Sequence, residues 1–317
     1  MKKRIWIDIV NSPQVLFFKP IIDKLEKDNE VIVTARKHSQ TTDLLDMYKI
    51  KYTVIGEHAG KSKIKKALTL FKRVKDMYKF AKERKFDCSV VHQSPYCMFP
   101  SWLLGIKKRI FIFDNETAVM QNMVSMPFCT HATCPEAISD KRIFFKKLIK
   151  YPGLKESVYI VKHKVKKENY VLMRPEPWSA AYYHGGEDVL VPIIEKLLND
   201  WKIVLIPRDD KQRKFYSEKF GVKITIPTKM IPANELIGKS AIVIGAGGSM
   251  NREAVVLGVP VISTYKGKLL AVDRWLIKEG LMYHTSDIDS EFVKKCIKNH
   301  KKADFDSALD KLVELIE

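Results

Sequence analysis

Short apolar runs of strand length alternate along this chain with segments whose apolar residues recur every three or four positions. Ile5–Val10, Glu30–Ala35, Lys51–Gly56, Cys88–Ser94, Arg109–Asn115 and His131–Ala137 are β-branched or aromatic runs that read as strands. Between them the spacing predicts helices over Phe17–Lys27, Thr41–Tyr48 and Lys63–Arg84, and a short one ending at Gly105 after the loop Pro95–Pro100. Strands buried on both faces and separated by helices build parallel β-α-β units. From Ile138 to Lys167 the pattern breaks. That stretch is basic and aromatic, is interrupted by Pro152 and Gly153, and reads as a surface crossover holding one short strand, Val158–Val161. A second alternation follows, with strands Asn169–Arg174, Trp201–Arg208, Lys223–Pro227 and Leu281–Thr285 and helices Asp188–Leu198, Asp210–Phe220 and Ala271–Glu279. The last helix, Asp304–Ile316, places Leu309, Leu312, Val313 and Ile316 on one face. The expected architecture is α/β, two Rossmann-like parallel-sheet domains facing a central cleft, with ligands at the carboxyl ends of the strands. The expected boundaries are 1–155, 156–303 and a C-terminal helix over 304–317 that is free to pack back on the first domain.

One stretch of the second half, Ser240–Thr264, carries more than packing information. It reads as a strand over Ala241–Ile244, a glycine turn at Gly245, Gly247 and Gly248, and a helix from about Asn251 to Leu257 that stops at Gly258. Pro260 then leads into another strand. A strand feeding a glycine turn and a helix start is a prepared anion site, because bare backbone admits a phosphate and free N–H groups point at it. Glu253 falls in the first turn of the expected helix, where an acid also suits the helix dipole and takes a sugar hydroxyl beside the phosphate.

Composition narrows the classes. The 317 residues, 46% of them apolar, suffice for two cores. No apolar run reaches the roughly 18 residues of a membrane span. The basic start MKKRIWIDIV turns into an acid-bearing strand too soon for a secretory signal. Cys88, Cys97, Cys129, Cys134 and Cys296 show no CxxC spacing and read as reduced thiols of a cytoplasmic protein. The net charge of +19 attracts polyanions. From Lys61 to Lys85, 11 Lys or Arg outnumber two acids around a stripe of Ile64, Leu68, Phe71, Val74, Met77, Tyr78 and Phe80. The first reading of this helix is a domain element that buries the stripe and solvates its lysines. The same charged face suits an anionic membrane surface, and the aromatic-basic run Phe144–Lys147 supports peripheral contact there. Nucleic acid is not expected, since no module pattern is present and the aromatics lie in strands.

Polar candidates gather in the strand-end loops. Asn11 and Gln14 follow the first strand, His92 and Ser94 end the fourth, and Asp114 and Glu116 follow the fifth. Asp8, inside a strand, reads as a structural carboxylate with a partner. In the second half Arg174 and Glu176 stand in RPEPW and Arg208 in PRDD, and a guanidinium just after an apolar strand suits a phosphate clamp. Walker A and GxSxG patterns are absent, the histidines form no metal-ligand pair, and GAGGSM has Met250 where GxGxxG needs glycine. No metal and no nicotinamide cofactor are expected.

With these residues in view, the chain resembles, nearly end to end, a mainly archaeal family of GT-B-type predicted glycosyltransferases. The resemblance is carried by WIDIVNSPQVLFFKP, TAR, QTTDLLD, IGEHAGKSK, HQSP, RPEPWSAAYY, GAGGSMNREAVVLGVPVIS and KGKLLAVDRWLIKEGL. Its wider kin are the UDP-N-acetylglucosamine 2-epimerases and the transferase that adds N-acetylglucosamine to lipid-linked peptidoglycan precursor. In both, the second domain binds the UDP-sugar through a glycine turn and a helix-start glutamate ahead of leucine-glycine-x-proline. Gly247, Gly248, Glu253, Leu257, Gly258 and Pro260 match that arrangement. The resemblance implies pyrophosphate on the glycine turn and ribose on Glu253. The expected donor site is Gly247, Gly248, Ser249, Asn251 and Glu253 with Arg174, Glu176 and Arg208, and the expected acceptor loop is Asn11, Gln14, His92 and Ser94.

The chain departs from its kin where they carry catalytic groups. Their loop histidines near the positions of Gln14 and Leu16 are missing, and HQSP replaces an aspartate-bearing loop. Asp114 or Glu116 is therefore the expected base. These losses weigh against an epimerase, which needs a full set of bases, more than against a transferase. The expected function is metal-independent transfer of a sugar from a UDP-sugar to a lipid-linked or membrane-associated acceptor, with no cofactor beyond the donor. The alternatives are a UDP-N-acetylglucosamine 2-epimerase or hydrolase, and a non-catalytic protein that binds nucleotide-sugar or an anionic membrane surface.

Overall fold

The computed structural model describes residues 2–37, 39–57, 63–138, 148–160, 166–178, 188–228, 231–305 and 307–317, with backbone alone for 39–40 and 63–67. Contacts divide the chain into two compact units, Met1–Tyr159 with Asp306–Glu317, and Ile160–Phe305.

Unit 1 contains β1 (Arg4–Ile9), α1 (Ser12–Leu25), β2 (Glu30–Lys37), α2 (Ser39–Met47), β3 (Tyr52–Glu57) and α3 (Lys63–Lys82). It continues with β4 (Cys88–His92), α4 (Met98–Leu103), β5 (Lys108–Ile112), α5 (Val119–Ser125), β6 (His131–Pro135) and β7 (Leu148–Tyr151). The strands form one parallel sheet in the order β3-β2-β1-β4-β5-β6-β7. Central β1 is buried from Ile5 to Ile9, as a strand covered on both faces must be. The chain winds outward from β1 to β3 and then returns to β4 on the other side of β1. The sheet therefore reverses between β1 and β4, the place where ligands of open α/β sheets bind.

Unit 2 holds β8 (Tyr170–Arg174), α6 (Leu190–Leu197), β9 (Lys202–Leu205), α7 (Asp210–Phe220), α8 (Ala233–Lys239) and β10 (Ile242–Gly245). After these come α9 (Gly248–Val256), β11 (Val261–Ser263), α10 (Ala271–Lys278), β12 (Tyr283–His284) and α11 (Ser290–Lys298). Its parallel sheet runs β12-β11-β10-β8-β9 and reverses between β8 and β10. Apolar residues of α6 and α7, with Val293 and Cys296 of α11, pack on this sheet. The chain ends in α12 (Leu309–Ile316), whose Leu312 and Ile316 join the core of unit 1 against α1. No helix among the described residues is long and apolar enough to cross a membrane.

Several elements differ from the pattern-based expectation, each for a local reason. Helix α1 starts at Ser12 rather than Phe17, because Asn11 caps it and a proline occupies its first turn. Leu148–Tyr151 is an edge strand inside the segment read as crossover, and Lys155–Val158 forms a 3-10 turn where a strand was expected to begin. Lys223–Pro227 contributes only an isolated bridge, Val204 to Thr225, with Gly221–Lys223 in a 3-10 turn. On α3 the expected stripe splits: Met77 is buried, while Leu68 and Phe71 are exposed, and Arg73 of the basic set is fully buried. Phe144–Lys147, Val161 and parts of IGEHAGKSK and RPEPWSAAYY lie outside the described residues.

Candidate functional site

Arg73 is buried because Asp8 is. Its Nη2 donates to Asp8 Oδ1 at 2.7 Å and its Nη1 to Oδ2 at 3.2 Å, while its Nε donates to the Ile55 carbonyl at 2.7 Å. Thr34 and Ser94 hydroxyls donate to the same carboxylate at 2.9 and 3.2 Å, and Trp6 Nε1 donates to Thr34. Breaking one partner of such a buried pair is costly, and here both carboxylate oxygens accept from the arginine and from one hydroxyl each. Gly56 (φ +77°) makes room for the arginine stem, since a Cβ there would stand 2.9 Å from Arg73 Cδ. Asp8 is thus structural, and Ser94, an expected acceptor-loop residue, is enlisted in holding it.

The rest of the carboxyl edge of unit 1 is equally committed. Asn11 Oδ1 accepts from Gln14 N at 3.3 Å, Gln14 Oε1 accepts from Val10 N at 2.7 Å, and Gln14 Nε2 donates to the His92 carbonyl at 2.6 Å. Gln14 is a buried clasp joining the start of α1 to the end of β4. Burial pushes the His92 imidazole down to about 4, against the pull of Asp114, so the ring is neutral at ordinary pH. Its Nε2 stands 3.4 Å from Asp114 Oδ1. Asp114 itself is gripped by Lys155, whose Nζ lies 2.6 Å from Oδ2 and 3.9 Å from Glu156 Oε1. Glu116, two residues beyond Asp114, is half-buried. Lys155 and Glu156 are site residues that pattern reading missed. In a lysine-rich segment, nothing local marks one buried lysine.

In unit 2 the reversal point is built differently. Helix α9 begins at Gly248, three residues earlier than expected, with Gly247 as its N-cap in extended conformation (φ −141°, ψ 142°) and no side-chain cap. Its first-turn N–H groups are therefore left for water or a ligand. A Cβ at Gly247 would meet the Arg208 guanidinium end, so the bare backbone here is what lets that side chain lie where it does. The Arg208 guanidinium thus lies on the turn, steadied by Nε donation to the Pro175 carbonyl at 2.7 Å. Gly245 is bare for a similar reason: its Cβ would stand 2.4 Å from Asn251 Oδ1, and Asn251 Nδ2 donates to the Gly245 carbonyl at 3.0 Å. Asn251 is buried, and no described residue donates to its Oδ1.

Glu253 sits in the second turn of α9, so the dipole preference of a first turn does not explain it. Its charge instead supports Arg174, whose own charge burial opposes. Arg174 ends β8 directly beside the turn, its carbonyl accepting from Ala246 N at 3.1 Å. Burial, and next Asp188, raise the Glu176 carboxyl above its ordinary value. Ser249 is exposed in the first turn. The structure thus gathers Arg174, Glu176, Arg208, Gly247, Gly248, Asn251 and Glu253 at one edge of one sheet. Beside it, Thr264 N donates to the Gly245 carbonyl at 3.0 Å and opens a pocket of about 700 Å³. Lys266, Lys268, Arg274 and His284 line that pocket, with no acid among its lining residues.

Arg208 is aimed by a second clasp. Asp209 caps α7 by accepting from Gln212 N at 2.9 Å, Gln212 Oε1 accepts from Arg208 N at 2.9 Å, and Gln212 Nε2 donates to the Glu176 carbonyl at 2.7 Å. Gln212 is fully buried and was not singled out from the sequence. Its signal, an Asp-x-x-Gln capping box after an apolar strand, stands at 209–212.

Comparison with known proteins agrees with this architecture. An uncharacterised protein of Methanocaldococcus jannaschii is 32% identical over 306 residues, covering 90% of this chain and 88% of its own. The UDP-GlcNAc 2-epimerase of the same organism superposes with a TM-score of 0.73 at 14% identity, over 98% of this chain and 99% of that one. Its complex with UDP-GlcNAc and UDP gives 0.68 at 15% identity over the same shares. Spinosyn forosaminyltransferase gives 0.65 at 11% identity, over 99% and 92%. At such identities these structures establish the fold, an α/β arrangement of two parallel sheets of the GT-B type. Residues 3–154 and 143–316 match the model of the family described as protein of unknown function DUF354, and the chain belongs to that family.

Proposed function

We propose that the protein is a glycosyltransferase that takes a sugar from a nucleotide-diphosphate donor, a UDP-sugar, and passes it to a hydroxyl of a lipid-linked acceptor. The observation that carries this reading is the Arg208 guanidinium laid on the bare backbone of Gly247 at the uncapped start of α9. A diphosphate there meets a bidentate cation and helix N–H groups together. When the sugar leaves, the charge that develops on the diphosphate is stabilised by groups already in place, which is where such sites gain most of their rate. Glu253, charge-paired with Arg174, accepts ribose hydroxyls. Two structural relatives bear on the ligand class, an epimerase crystallised with UDP-GlcNAc and UDP and a forosaminyltransferase.

Unit 1 supplies the acceptor-side chemistry in this reading. Asp114, held by Lys155 at 2.6 Å, or Glu116 two residues on takes the proton of the acceptor hydroxyl. Incubation with UDP-N-acetylglucosamine, with and without an extract of membrane lipids, tests the proposal by NMR. The expected outcome is UDP released only when the extract is present. New sugar signals from the donor alone would replace the transferase with an epimerase or hydrolase. UDP binding without turnover across a panel of UDP-sugars would leave a non-catalytic binder.

A further inference from the structure

Helix α5 of unit 1, VMQNMVS, is folded inside out. Asn122 and Ser125 are buried, while Val119, Met120, Met123 and Val124 stand exposed, Met120 at 78%. Hydrogen bonds hold the inversion. Asn122 Oδ1 accepts from Gln93 Nε2 at 3.1 Å, and the Ser125 hydroxyl donates to the Ser94 carbonyl at 2.7 Å. The helix is thereby tied to the loop after β4, beside His92, and turns its apolar side to solvent.

Neighbouring helices also expose apolar side chains. The 3-10 turn Met126–Phe128 that continues α5 packs on α4, where Trp102 and Leu103 are about half exposed, and α4 packs on α3. There Leu68 and Phe71 are exposed at 65% and 72%. The exposed large apolar side chains elsewhere among the described residues are scattered singly, which needs no explanation. Apolar exposure repeated on three helices that contact one another in series does need one. From Phe71 onward the outer face of α3 turns basic, with Lys72, Lys75 and Lys79 exposed at helical spacing.

We propose that this face docks on the surface of an anionic lipid bilayer, with the side chains of α4 and α5 entering the interface and the α3 lysines meeting headgroup phosphates. Charge and apolarity decide the occupant together. A nucleic acid would use the lysines but has no use for Met120 and Met123, and an apolar protein face would leave the lysines without counter-charge. An anionic bilayer interface takes both. The proposal stands on unit 1 alone and survives or fails independently of the donor reading. If both hold, the loop bearing His92 lies next to the source of a lipid-linked acceptor.

Co-sedimentation of the full chain with phosphatidylcholine vesicles, and with vesicles containing phosphatidylglycerol, tests it at low and high salt. The wild type is expected to bind the anionic vesicles and to release as salt rises. Met120→Glu with Met123→Glu should weaken binding about tenfold or more, and Lys72→Glu with Lys75→Glu and Lys79→Glu about a hundredfold. Val222→Glu, at an exposed apolar position of unit 2, should bind as the wild type does. Circular dichroism melts confirm that each variant is folded. Equal, salt-insensitive binding to both vesicle types, or full binding by both sets of variants, would overturn the proposal. Sedimentation velocity shows whether the face instead joins two copies. A dimer that Met120→Glu with Met123→Glu dissociates, with no vesicle binding, would also overturn it.

Discussion

In unit 1, Asn11 caps a helix while Gln14, three residues on, closes back to the backbone of Val10 and reaches across to His92. In unit 2, Asp209 and Gln212 do the same with Arg208 and Glu176. The backbone device is shared, and the chemistry around it is not. The residue ahead of the cap is a buried valine in one unit and an arginine in the other. Across from the valine lie the His92 carbonyl and the Gln93 and Ser94 side chains, which bond inward. Across from the arginine lies a glycine turn whose bare backbone accepts the guanidinium. A capping clasp is thus architecture. It becomes a binding site when a cation precedes it and glycine faces it.

The largest effect is expected at Arg73, which belongs to the committed side of the contrast. Arg73→Met removes one partner of a fully buried pair and should cost about 3–5 kcal/mol of stability in urea unfolding. UDP affinity of the folded remainder should be unchanged; a parallel loss of affinity would merge the two sites that the comparison separates. The next effect is on pH dependence. His92 is held neutral in the folded state, with its value lowered to about 4 from 6.5, whereas the unfolded chain takes up a proton below about 6.5. Stability is therefore present above that pH and is lost as pH falls from about 6.5 to 4, by about 3 kcal/mol. His92→Gln should flatten that part of the urea-midpoint profile, and an unaltered slope would remove His92 as its source. The two clasps give the smallest and sharpest contrast. Gln14→Ala and Gln212→Ala should each cost about 1–2 kcal/mol of stability, but Gln212→Ala alone should weaken UDP binding. Equal effects on UDP would dissolve the distinction.

What could be read in advance follows the same division. The parallel strands announce themselves as apolar runs, and the glycine turn is visible because Gly245, Gly247 and Gly248 stand between a strand and a helix. The start of α9 was misplaced because glycine is a poor helix former, and only the backbone shows Gly248 inside the helix. β7 was hidden because Leu148–Tyr151 lies on a sheet edge amid lysines. The burial of Arg73 has no local sign because its partner, Asp8, lies 65 residues earlier in the chain. The commitment of Gln14, Ser94 and Asp114 to internal bonds is likewise a property of tertiary contact, which loop position does not reveal. Asn122 and Ser125 invert α5 through partners on other loops, so its exposed methionines carried no local sign.

In the proposed function, the start of α9 with Arg208 holds the donor's diphosphate. Calorimetric titration of UDP into the wild type and Gly247→Ala tests it most directly, since the added methyl would lie 2.4 Å from Arg208 Nη2 and displaces a mobile side-chain end rather than the fold. The expected outcome is micromolar-range or tighter binding by the wild type and a loss of about tenfold or more in the variant, with an unchanged melting temperature. Equal UDP affinity in both proteins, or none in the wild type, would contradict it.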